Sequence, residues 1–465
     1  MASANRRARS IPFKDPLLSM MRAPAGSAAE QPWLAAMRAA AHERYLALGL
    51  PSPRVEEWKY TNLAPLAGLA FALPTPAAAS EAALDAFATL GPADHRLVFV
   101  NGRLDVSLSR LGVLPEGVLF GGLAALLERE PARLAPHLGQ GARLNGQALA
   151  ALNGALMQDG GVLVIPPGHV LKEPIHLVFL GAAPASPLAW HPRLLVVAGA
   201  DSRATLIESH LGQTGPYWSN LLTEVMIGDR AVFEHYKLQA EGAGAFHTAY
   251  SAVGLGEQAR YRNVTLSLGA RLARNEIVLR FNAPGAEAAL DGAYLLDGAQ
   301  HCDNTLCVDH AAPRCASRQI YKGVLDGTAR GVFQGKITVH PGAVKTDGHQ
   351  LSRAILLSPR AEIDTKPELE IYADDVKCGH GASAGALDEA QLFYLRARGI
   401  EQGVARALLI EGFLGDVLES IADLPQWLTK HSTCTSSHGA PQMRAATPAD
   451  GISEAHASRH VPAEH

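Results

Sequence analysis

Charge is scarce in this 465-residue chain: Asp, Glu, Lys and Arg together make up 18% of it, against the roughly 25% of an ordinary soluble domain. What charge there is nearly cancels, to a formal −4. No basic excess therefore marks nucleic acid as a partner. No apolar run approaches the ~18 residues of a membrane span. The metalloprotease template is missing too, with no H-E-x-x-H helix. The stretch Gly331-Val-Phe-Gln-Gly335-Lys336-Ile337 comes nearest to a phosphate loop. It has one residue too few between its glycines and no Ser or Thr after the lysine. An ATP-driven role would need another subunit to bring the ATPase.

Cysteine is sparse as well: Cys302, Cys307, Cys315, Cys378 and Cys434. An odd set in a long chain whose start has no secretory apolar core reads as reduced thiols in a cytoplasmic protein. The opening MASANRRARSIPFKD bears arginines and no acid before Asp15, which suits a disordered N-terminus or an organelle transit peptide. Hydrophobic residues, by contrast, make up 48% of the chain, with 44 Gly and 29 Pro. That composition describes a globular, β-rich protein punctuated by turns.

Residues 1–26 are expected to be disordered. Residues 27–160 read as a mainly helical domain with short strands. PWLAAMRAAAHERYLALGL ends at Gly49 and Pro51, HRLVFV is strand-like before an Asn101-Gly102 turn, and a second helical region lies over Leu123 to Leu152. From residue 161 the character changes to short β-rich runs such as VLVIPPG and RLLVVAG. Small residues behind turn signals then recur at Ala204, Ala231, Ala259, Ala288, Ala316 and Ala343, at intervals of 27, 28, 29, 28 and 27. A fixed period of this size marks a solenoid with two strand-and-turn units per coil over residues 161–384. An ordinary sandwich would place its turns every ~8–12 residues. Residues 385–424 return to helix, with Leu409, Phe413, Val417 and Ile421 at i+4 spacing. Such a stripe is commonly core contact, and it would equally serve to dock a partner. Residues 425–465 are polar, low in complexity and expected to be disordered, Cys434 included.

Two constellations could carry chemistry. Cys378-Gly379-His380 puts a thiol and an imidazole two residues apart, on one face of an extended chain. That pair suits zinc, iron or an Fe–S species, but it is half a site, because such centres want four ligands. The bland reading is a buried cysteine beside a surface histidine. His301-Cys302-x4-Cys307-x2-His310, with Cys315 nearby, resembles a compact metal site on counting alone. The odd separation of Cys302 and Cys307 places them on opposite faces of a strand, unless Asp303 and Asn304 form a turn, so packed thiols are the preferred reading. Asp364, Glu368, Glu370, Asp374 and Asp375 could be paired carboxylates for sugar cleavage, or simply the solvated face and turn of a strand.

KPELEIYADDVKCGHGA followed by QLFYLRARGI resembles the C-terminal region of the SufB/SufD family of Fe–S cluster assembly proteins, in its SufD branch. A more distant likeness runs through SRQIYKGVLDGTARGVFQGKITV and RVEEWKYTNL. It covers most of the chain between about Arg54 and Leu424. The resemblance implies a right-handed parallel β-helix flanked by an N-terminal α/β segment and C-terminal helices. It implies a non-enzymatic scaffold of a SufBCD complex, paired with a SufB-like subunit. Leu409, Phe413, Val417 and Ile421 would bind the SufC ATPase, and a homodimer would form when the chain is alone. Cys378 and His380 would hold a nascent Fe–S cluster or iron, transient and shared with SufB, with none bound tightly by the isolated chain. The paralogous SufB is the near alternative, but this chain lacks the Cys-rich N-terminal segment common there. A β-helix carbohydrate-active enzyme is the alternative of another class.

Overall fold

The computed structural model describes residues 30–75, 93–141, 146–182 and 186–419. The expected disordered ends, with Ile421 and Cys434, lie outside those residues. The described chain is dominated by strands that wind back and forth between two long, largely parallel sheets.

Sheet one holds β1 (His95–Val100), β2 (Arg103–Leu111), β5 (Ile175–Gly181), β8 (Arg203–Gly212), β10 (Val232–Ala240), β12 (Arg260–Ser267), β14 (Glu287–Leu296), β16 (Ala316–Leu325), β18 (Asp347–Leu356) and β20 (Lys377–Gly385). Sheet two holds β3 (Leu119–Gly122), β4 (Gly161–Ile165), β7 (Arg193–Ala198), β9 (Tyr217–Ile227), β11 (Phe246–Leu255), β13 (Leu272–Phe281), β15 (His301–His310), β17 (Arg330–Val339) and β19 (Glu362–Ile371), with β6 (Leu188–Trp190) alongside β9. From β8 onward, successive strands alternate between the sheets. Each pairs in parallel with the strand one coil away, for example Val232 with Arg203 and Phe246 with Trp218. This is the solenoid that the spacing predicts. Its first coils take in β1 and β3 from the N-terminal region, with β2 added antiparallel to β1 and β3 antiparallel to β4.

The alternation of strand side chains divides the molecule into a lumen and two outer faces. The lumen holds an apolar column that includes Phe99, Phe179, Leu206, Phe233, Val253, Leu279, Phe281, Leu306, Ile337 and Val339. Each such side chain contributes roughly 1.5–3 kcal/mol over its exposed state. The coils stack so closely that bulk must alternate with its absence. Tyr321 lies against Gly292, and in reverse Tyr294 lies against Gly323. A Cβ on either glycine would come within 2.3 and 2.2 Å of the opposing ring.

Corners repeat more strictly than the alanines do. Asp201, Arg230, Gln258, Gly285, Arg314, Lys345 and Asp375 each have φ between 55° and 74°, and each stands two residues before a sheet-one strand. The amide of each of the first six donates to a carbonyl at the corner of the next coil, as Arg230 N does to Glu257 O at 2.7 Å. This corner ladder offsets the cost of left-handed backbone at residues other than glycine. Ala231 and Ala259 follow directly behind the corner and are wholly buried, and Ala286 and Cys315 take that place in the next two coils.

The N-terminal helix Pro32–Leu48 ends at Gly49 with φ 67°, as its sequence predicts. It packs on helix Ala148–Leu156 over the outer face of sheet two. Helix Gln402–Glu419 covers part of the outer face of sheet one. Among the described residues no helix is long and apolar enough to cross a membrane.

Candidate functional site at the open end of the solenoid

Sheet one ends at β20 and sheet two at β19, and neither edge has a further strand among the described residues. Cys378 pairs in register with Gly348, and His380 with Gln350. One coil earlier the same positions are Ser317 and Gln319, all of them facing the lumen. The thiol and imidazole therefore occupy lumen positions of the last coil, where no further coil covers them. Gln350 lies beneath His380, almost fully buried, and its Nε2 donates across the lumen to Gly335 O at 3.2 Å.

Cys378 is half-buried and packs on the lumen core, while His380 is exposed. A Cβ added at Gly348 would lie 3.5 Å from Cys378 Sγ, in ordinary van der Waals contact with it. Burial, aided by the Asp347 carboxylate, raises the Cys378 thiol above its ordinary pKa, against the opposing pull of the Gly348 amide. At neutral pH the uncomplexed side chain is accordingly a thiol, and it needs a cation or a partner's charge to become a ligand. Among the described residues no group of three metal-ligating side chains includes either residue. The chain presents one thiol and one imidazole on a pair of open sheet edges.

Residues 179–413 match the family model described as the SUF system FeS cluster assembly SufBD core domain, and residues 25–177 match the SufBD protein N-terminal region. The chain belongs to the SufBD family. It is 35% identical over 385 residues to an iron-sulfur cluster assembly SufBD family protein of Synechocystis, covering 80% of this chain and 84% of that one. It is 29% identical to the iron-sulfur cluster assembly protein SufD of Escherichia coli, over 82% of this chain and 88% of that protein. It is also 27% identical to SufD of Bacillus subtilis, over 84% and 91%. Family membership carries a role in Fe–S cluster assembly.

The other sequence candidates resolve differently. Asp303 and Asn304 form no turn, since β15 runs unbroken from His301 to His310. Cys302 consequently faces the lumen, wholly buried, and Cys307 faces the other way, as the odd spacing requires. All four described cysteines are free thiols, and burial pushes Cys302 and Cys307 up to about 12. They are packed thiols. The acidic residues of β19 pair with bases rather than with each other: Asp364 with Arg330, Glu370 with Lys336, and Glu368 with Lys366. No carboxylate pair for sugar cleavage results from them. RVEEWKYTNL wraps the outer face of sheet two. There the Trp58 ring centroid lies 4.1 Å from the Arg274 guanidinium, and Thr61 Oγ1 lies 2.9 Å from His301 Nε2. Asp303 accepts from both Thr61 and Arg274.

The C-terminal stripe lies against the solenoid. Val417 is fully buried against sheet one, together with Ile410 and Leu414, and Leu409 and Phe413 are half-buried on the same cluster. The face expected to meet a partner is the one that attaches the helix to its own solenoid. Among the described side chains, the large apolar ones left exposed in this helix and in the preceding helix Glu389–Ala397 are Phe393, Tyr394, Val404 and Leu408, at 73%, 56%, 53% and 45%.

Sequence reasoning passed over the interior. Glu208 and His210 on β8, and His235, Lys237 and Gln239 on β10, put charge and imidazole into the lumen, joined by Glu241 and by His247 of β11. The signal was a polar alternation with period 2, recurring 29 residues on from Glu208 to Lys237 and from His210 to Gln239. Burial would raise the Glu208 carboxyl, but His235 and His210 outweigh it and hold it well below the usual range. A small internal cavity adjoins Glu208, His235, Lys237, Asn263, Thr265 and Asn275.

Proposed function

We propose that the chain is a non-enzymatic scaffold subunit that pairs, through the open end of its solenoid, with a homologous SufB-like subunit to build or load a nascent Fe–S cluster. The observation that carries this reading is the uncovered last coil. Two sheet edges end side by side, and the thiol and imidazole of the last strand make half a ligand set. Unpaired strand edges are templates for pairing with another chain, and a second solenoid presenting its own edges would extend both sheets while supplying the missing ligands. Pro367 within β19 is compatible with an edge position, where its missing N–H leaves no ladder bond unmade.

An ATPase of the SufC kind would dock on the exposed helical face of Phe393, Tyr394, Val404 and Leu408, which replaces the buried stripe as the docking surface. The iron or cluster is cargo, shared across the interface and not held by the isolated chain.

The test is co-expression with a SufB-like chain and an ATPase, followed by gel filtration and light scattering. A heteromeric complex holding iron and sulfide supports the reading. A chain that stays monomeric beside both candidates overturns it. A stable homodimer that refuses the second subunit would make the open end a self-association surface instead.

A further inference from the structure

Several coils away from Cys378 and His380, three ligating side chains converge in the lumen. His210 Nε2 is 2.9 Å from the Glu208 carboxylate, whose other oxygen is 2.6 Å from His235 Nε2. This fixes the His210 ring and leaves its Nδ1 buried without a hydrogen-bond partner. The His210 and His247 rings meet edge to face at 4.8 Å. His247 Nδ1 lies 3.0 Å from Glu241 Oε2, and Gln239 Nε2 donates to that same oxygen at 3.0 Å, with its own Oε1 unpartnered. One ligand atom from each of His210, Glu241 and His247 falls within 4.8 Å of the others. Two donors at ~2.1 Å from a common ion, set at right angles or the tetrahedral angle, stand roughly 3.0–3.4 Å apart.

We propose that His210, Glu241 and His247 bind one divalent transition-metal ion of the zinc or ferrous type, independently of the cluster-assembly end. Two imidazoles and a carboxylate are the donor set that such ions favour over calcium or magnesium. Glu208 behind His210 makes the carboxylate–histidine pairing that orients and strengthens a metal-bound imidazole. Glu241 begins the corner from β10 to β11, where Ala243 is exposed between two half-buried glycines. Without metal, Lys237 Nζ donates to His247 Nε2 at 2.9 Å and to Asn275 Oδ1 at 2.8 Å, so the ring carries its proton on Nδ1. On binding, the ion takes Nδ1, the proton passes to Nε2, and Lys237 gives up that contact while keeping Asn275. The ammonium is thus the built-in competitor of the metal.

The full-length chain, stripped with a chelator and kept reduced, is titrated anaerobically with Co(II). One equivalent retained through gel filtration, with visible d–d absorption, is expected. Glu241→Gln and His247→Gln should each weaken cobalt binding at least ten-fold, and Lys237→Met should tighten it. The Cys378→Ser/His380→Ala double variant should bind as the wild type does, which separates this site from the open end. Circular dichroism and melting check each variant's fold, and Glu241→Gln, nearest the surface, serves if the histidine variant does not fold. A wild type that retains no cobalt overturns the proposal. So does cobalt lost from the double variant but kept by Glu241→Gln.

Discussion

Lys322 donates its ammonium to the Phe413 carbonyl at 2.6 Å and lies 5.2 Å from the centroid of the same residue's ring. One side chain of β16 thereby grips both the backbone and the ring of the C-terminal helix. A cation over an aromatic face adds about 0.5–2 kcal/mol, according to how far it is desolvated. The grip explains why the apolar stripe of this helix is an attachment to the solenoid.

It follows that Phe413→Ala should destabilise the chain by about 1–3 kcal/mol, less than the 3–5 of a fully buried Phe. Serine at Phe393 and Tyr394 should leave melting unchanged, since both side chains are mostly in solvent. If an ATPase docks on these helices, its capture should fall in the Phe393/Tyr394 double variant at unchanged melting. Capture that survives that variant but drops when Phe413 is replaced, at unchanged melting, would return the docking site to the inner stripe.

How much of this could be read from the sequence depends on what each feature needs. The coil period was legible because Ala231 and Ala259 do sit at one equivalent corner, although Ala204 and Ala288 lie two residues further along their strands. The true periodic marker, a left-handed corner residue, was not legible. Its identity changes from Asp to Arg, Gln, Gly, Arg, Lys and Asp, because a backbone ladder and not a side chain secures it. The pairing of Cys378 with His380 needed only i, i+2 geometry. Their place at an uncovered coil needed the register of β18 and β20. The helix stripe at Leu409 and Phe413 was visible as amphipathic, but periodicity does not say which surface covers it. The lumen cluster was hidden for a similar reason: Glu208, Glu241 and His247 come from three chain segments that only coil stacking brings together.

Acid should weaken the fold through its buried histidines. Burial lowers His176 and His191 to about 3, and His310 to about 4. In the unfolded chain each returns to ~6.5. The folded protein keeps these rings neutral while the unfolded chain takes up protons below that value. Their contribution is thus fully present above pH ~6.5 and is lost as pH falls toward 4. The slope is about 1.4 kcal/mol per pH unit per histidine once all are in range. Asp159 and Asp291, whose carboxyls burial raises, act in the opposite sense nearer their own ordinary range. Urea midpoints at pH 7.5, 6.5 and 5.5 provide the measurement. A flat profile would show that the buried rings accept protons without cost, and His310→Gln should flatten a sloping one.

Cys378 and His380 should separate by stability and by chemistry. His380 is exposed on the last strand, so His380→Ala should leave melting and subunit association nearly unchanged. Cys378 is half-buried on the lumen core, so Cys378→Ala should cost on the order of 1 kcal/mol. To serve as a ligand in the proposed complex, the Cys378 sulfur must first lose a proton that burial helps it keep. On the proposed reading, a cysteine or carboxylate of the SufB-like partner would complete the site across the interface. His380→Ala should abolish or severely reduce cluster formation. Cys378→Ala should do the same or less, according to whether its sulfur turns toward the partner or stays on the lumen core. Cluster absorbance with iron and sulfide content, compared between wild-type and single-variant complexes, decides the matter. Normal iron and sulfide in the His380→Ala complex would reduce the histidine to a surface residue and leave the open sheet edges as a purely structural interface.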